Sequence, residues 1–119
     1  MNYKIKTVNA SQKLATMISC VRKGQDQSGR DIDTWILDHR SKQDKGMFVP
    51  VEKQWSDKGY ILCTLEGAHN DTIKVEFKYW GNCPNDIKSP DDAGILLGRF
   101  TELLINHFAD LRINIEIIP

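Results

Sequence analysis

Between Ser89 and Leu111 the apolar residues fall three and four apart: Leu96, Leu97, Phe100, Leu103, Leu104, Phe108 and Leu111. That spacing lines one face of an α-helix. The residues ahead of it supply a start. Ser89 can accept from a free backbone N–H, Pro90 has no N–H to leave unpaired, and Asp91 and Asp92 place negative charge at the positive end of the dipole. A helix over Ala93–Phe108 is predicted. Leu14, Met17, Ile18 and Val21 repeat the spacing and predict another over about residues 11–23. Ser11 is its expected cap, Arg22 and Lys23 suit its negative end, and Gly24 suits its stop.

Alternation marks the strands. Ile73, Val75, Phe77 and Tyr79 alternate with Lys74, Glu76, Lys78 and Trp80, so Thr72–Trp80 has one buried and one wet face. Tyr60–Glu66 precedes it across Gly67-Ala68-His69-Asn70-Asp71, which has hairpin chemistry. Tyr3–Val8, Ile32–His39 and Arg112–Ile118 read as further strands. Met47–Val51 is apolar, but Pro50 cannot donate to a ladder, which predicts an edge strand or an irregular extension. Gln25–Asp33, Ser41–Gly46, Glu52–Gly59 and Gly81–Lys88 read as loops. The order β-α-β-(β)-β-β-α-β predicts an α+β fold. In this two-layer sandwich two amphipathic helices cover one face of a mainly antiparallel sheet of about five strands. A split β-α-β arrangement, with another strand between the two parallel ones, is compatible with that order.

Composition narrows the function classes. A chain of 119 residues suits one globular domain spanning 1–119. Lys+Arg and Asp+Glu are 16 each, giving zero net charge, which argues against a nucleic-acid binder that works by bulk positive charge. Basic residues gather in the first half and acidic ones in the second, a weak sign of a polarised surface. Cys20, Cys63 and Cys83 form no CxxC pair, and free thiols fit a reducing compartment. There is no apolar run of signal-peptide length at the start and none of membrane-spanning length anywhere, so a cytoplasmic location without membrane contact is expected.

No phosphate loop, nucleophile elbow or zinc spacing occurs, and neither a cofactor nor a metal is expected. Asp38-His39-Arg40 joins an acid, an imidazole and a guanidinium. Neighbouring strand residues point to opposite faces, however, so Asp38 is poorly set to orient His39. His107 lies beside the apolar stripe of the second helix, as a core-edge histidine would. A small hydrolase or nuclease using His39 or His107 is one alternative function. Cys83 precedes a helix opened by two aspartates, which would raise its pKa rather than activate it. Gly94 and Gly98 stand four apart inside a helix, each costing about 1 kcal/mol relative to Ala. Tight packing on the sheet or on the first helix is the expected reason, with a partner helix as the alternative. Lys4, Lys6, Lys74 and Lys78 near Tyr60 and Trp80 could grip single-stranded nucleic acid, a second alternative, although Glu76 sits among them.

The charged loops carry the main functional expectation. Asp26, Arg30, Asp31 and Asp33 share one loop, and Lys53, Trp55 and Asp57 share another. A tryptophan among charges fits an interface anchor with a polar rim, or else it folds back over the sheet. The resulting expectation is a non-enzymatic module binding another protein through these loops. Inhibitors and immunity or antitoxin proteins, whose partner is a toxin, have this general character.

Overall fold

A computed structural model describes residues 2–111 and 113–118. The elements are β1 (Asn2–Lys6), α1 (Ala10–Lys23), β2 (Trp35–Leu37), β3 (Lys45–Pro50), α2 (Lys53–Ser56), β4 (Gly59–Leu65), β5 (Thr72–Tyr79), α3 (Asp92–His107) and β6 (Asn114–Ile118). The strands form one six-stranded sheet in the order β2-β3-β4-β5-β1-β6, with every pairing antiparallel. The architecture is α+β with two long helices on the sheet, and it has one more strand than the sequence predicts. Arg112, placed in the last strand by sequence, lies outside the described residues.

Strand alternation decides what enters the core. Tyr3 and Ile5 of β1, Ile73 and Val75 of β5, and Ile61 and Cys63 of β4 share one buried cluster with Leu14, Met17 and Ile18 of α1 and Leu96, Phe100 and Leu104 of α3. Phe100 is its hub. The ring packs edge-on to Trp35 at 5.4 Å and tilted against Phe48 at 5.1 Å, geometries that aromatic quadrupoles favour. Since β5 and β6 both run antiparallel to β1, they are parallel to each other. With α3 between them in sequence and β1 between them in space, they make a split β-α-β unit.

Three local expectations change. First, Lys45–Pro50 is internal, paired with β2 on one side and β4 on the other. Pro50 is tolerated because β4 pairs only as far as Phe48, so the missing N–H falls beyond that ladder. Second, Ser11 does not cap α1. Asn70, in the β4–β5 turn, accepts from Ala10 N–H through its carbonyl at 2.8 Å and from Ser11 N–H through its side chain at 2.7 Å. Third, an added Cβ at Gly94 or Gly98 would meet no neighbouring atom within 4 Å. These glycines face open space, and the close packing expected of them is absent.

The start of α3 follows the sequence reading more closely. Asp91 N–H donates to Ser89 Oγ at 3.3 Å, and Ser89 N–H donates to Asp92 Oδ2 at 2.8 Å. This is a variant of the capping box, with aspartate in the place of the usual glutamate and the Ser89 hydroxyl taking the Asp91 amide, one residue earlier than usual.

Candidate functional site

A groove of about 540 Å³ runs between α3 and the adjoining ends of β2 and β3. Buried Trp35, Pro50 and Leu103 line it, and so do exposed Asp33, Glu52 and Glu102. The register brings Trp35 opposite Pro50, which juxtaposes the start of β2 and the end of β3. From α3, Arg99, Glu102, Asn106 and His107 contribute one row of polar side chains. Arg99 pairs with Glu52 at 3.1 Å. Among the described residues, Asp33 and Glu102 form no ion pair, so the groove is net acidic.

One end of the groove rests on a charged network. Gly24 ends α1 with φ 81° and turns the chain into the loop that carries Asp26. Asp26 is only 5 % exposed, yet its carboxylate is fully engaged. It accepts from Ser28 N–H at 2.9 Å, Arg30 N–H at 2.9 Å and Arg30 Nε at 3.0 Å. His107 Nδ1 completes the set at 2.9 Å. The hydrogen bond from His107, together with the Arg30 and Ser28 amides and the guanidinium, outweighs burial and holds Asp26 at about 2. An ionised carboxylate only accepts, so Nδ1 of His107 carries the proton. Arg30 also donates to the carbonyl of Asn106 in the last turn of α3. A cationic donor is favoured at a helix C-terminus, and here the Arg30 guanidinium ties the loop to it.

The seven loop residues singled out by sequence do not form one surface. Asp26 and Arg30 belong to this network, and Asp33 borders the groove. Asp31 is exposed outside it. Lys53 and Asp57 pair across the exposed side of α2 at 3.7 Å, and Asp57 lines a separate hollow with Asp38, Arg40 and Trp80. Trp55 is only 7 % exposed, so the surface-anchor reading gives way to the folded-back one. A single helical turn presents Lys53, Gln54 and Ser56 outward and turns Trp55 in. Lys58 and Arg99 lie over its ring at 5.0 and 5.3 Å. Its Nε1 is buried and has no hydrogen-bond partner among the described residues.

The alternatives are placed as clearly. The His39 side chain is 88 % exposed, and its Nδ1 lies 3.8 Å from Asp38. Asp38 instead holds Arg40 through two guanidinium bonds of 2.9 and 3.2 Å, and that hydrogen bonding lowers its pKa. The lysine-bearing sheet face is largely zipped. Lys4 pairs with Glu66 at 2.8 Å, and Lys74 and Lys78 flank Glu76 at 3.5 and 3.4 Å. Cys20, Cys63 and Cys83 are free and buried, and burial pushes the Cys63 and Cys20 thiols up. Among the described residues, no cluster of three or more His, Cys, Asp or Glu is placed to hold a metal ion, and no helix is long and apolar enough to cross a membrane.

Sequence reasoning passed over Glu52, Arg99, Glu102 and Asn106. The signal was present on α3: Arg99, Glu102 and Asn106 recur three and four apart beside Leu103, a polar row next to the apolar stripe. Comparison with family models, with curated proteins and with solved structures finds no match.

Proposed function

We propose that this chain is a non-enzymatic protein-binding module that holds a partner through the groove between α3 and the ends of β2 and β3. The observation that carries this reading is the lining itself. An apolar floor of Trp35, Pro50 and Leu103 is rimmed by three carboxylates, Asp33, Glu52 and Glu102, against one guanidinium, Arg99. Such a surface favours a partner segment bearing lysine or arginine beside an apolar side chain. Inhibitor and immunity-type proteins work by this kind of complementarity, and a toxin is one partner of that chemistry. The test compares partner recovery on the native chain with recovery on an Asp33→Lys, Glu102→Lys double variant. Recovery that falls with added salt and is lost in the variant supports the reading. Recovery equal in both removes it.

One observation favours a second reading. Asp26 fixes the tautomer of His107, which lines the groove, as an orienting acid fixes a general base. A hydrolytic activity abolished by His107→Gln, in a variant that still recovers partner, would assign the groove to chemistry instead.

A further inference from the structure

The two edges of the sheet differ. β2 is three residues long, and Trp35 within it is 3 % exposed. β6 is five residues long, and Asn114, Ile115, Glu116 and Ile117 are all exposed. Ile115 and Ile117 expose 37 % and 70 % of their surface. Both lie on the helix-bearing face, opposite Ile5 and Tyr3 of β1.

The ladder shows what this edge offers. Thr7 N–H donates to Asp71 at 2.9 Å, continuing the β1–β5 pairing. Antiparallel bonding alternates, so the odd residues of β1 bond to β5 and the even ones to β6. Lys4 and Lys6 therefore bond to Glu116 and Asn114, their partners in register. The backbone N–H and C=O groups of Ile115 and Ile117 aim away from the sheet. Natural sheets usually blunt such an edge with lysine, proline, a bulge or a covering element. Among the described residues nothing covers this one.

We infer that β6 is an interface between two copies of this chain, paired antiparallel across a two-fold axis into one continuous sheet. Three observations select a second copy. The strand is self-complementary: with Ile115 opposite its own counterpart, Ile113 faces Ile117, Asn114 faces Glu116, and Ile113, Ile115 and Ile117 stay on the helix-bearing side. The neighbouring register would set Glu116 against Glu116, a destabilising like-charge pair. The chain has zero net charge, so two copies meet without long-range repulsion. Finally, the opposite edge is short and its tryptophan buried, so pairing closes at two copies instead of growing into a fibre.

Sedimentation of the native chain, Ile115→Pro and Ile117→Lys over a concentration series tests the interface. The native chain sediments at twice the monomer mass as concentration rises, and both variants stay at the monomer mass with unchanged circular dichroism. Proline at position 115 deletes an N–H that the β1 ladder does not use. If Ile115→Pro fails to fold, Ile117→Lys decides alone, because that side chain is mostly in solvent. A native chain still monomeric at about 1 mM overturns the inference. So does a dimer that survives Ile117→Lys.

Discussion

At the residue scale, Asp26 has the largest consequence. Four donors converge on one buried carboxylate and hold it at about 2, against 3.8 for an ordinary aspartate. Because the folded-state pKa is the lower one, the contribution is complete above about pH 4 and disappears as pH falls through about 2. Acid titration of stability should therefore show a loss across that window. In Asp26→Asn the loss should flatten, on a protein already less stable at neutral pH. The members of this network were legible beforehand, but their meeting was not. Asp26 and Arg30 were visible as a charged loop, but His107 stands 81 residues away. Only the packing of that loop on the last turn of α3 brings them together. Trp55 was left between two placements for a related reason: its charged neighbours suggest a loop on the surface, and only the turn of helix that rotates the indole inward beneath Arg99 decides for the folded-back one.

At the element scale, the two long helices are set up differently. The start of α3 could be read from sequence because Ser89 and Asp92 cap it within four residues. The start of α1 could not, because its cap comes from Asn70, 59 residues beyond Ser11. Asn70 also sits at φ 52°, where a side chain other than Asn or Asp is strained. Replacement by glycine relieves the backbone and removes the cap together with the exposed Nδ2 bond to Asn9 Oδ1, costing about 1 kcal/mol. Replacement by alanine should cost more, about 2 kcal/mol, since it adds the left-handed penalty. Chemical denaturation of the two variants checks the order. On α3 the opposite sign is expected. Gly98 has helical backbone and open space for a Cβ, so Gly98→Ala should stabilise by about 1 kcal/mol. A thermal melt reads this as a rise of a few degrees. The glycine pair was legible as an anomaly, but the explanation by tight packing was not correct.

At the scale of the whole molecule, β1 organises the sheet. It lies between β5 and β6, so its ladders join the first residues of the chain to some of the last. The individual strands were readable from alternation and turn chemistry. Their order was not, because it depends on β1 pairing with β5 and β6, segments 66 and more residues away. The interior place of β3 was hidden for a different reason: Pro50 marks a strand end, which resembles an edge until its neighbours are known. The groove shares this origin. Its acidic rim draws on three separate segments, around Asp33, Glu52 and Glu102, which only the assembled sheet and α3 set side by side.

The register of β1 against β6 places Asn2 directly opposite Ile118, one strand spacing away, or about 5 Å. A linker of a few residues can therefore span from 118 to 2, and the polypeptide can be reopened elsewhere as a circular permutant. The exposed turn Lys42–Asp44 between β2 and β3 is a suitable cut, since no core side chain lies in it. Such a rearranged chain should reproduce the parent's circular dichroism and melt cooperatively. It would also make β1 and β6 neighbours in sequence, shortening the most distant closure the parent must make and speeding its folding.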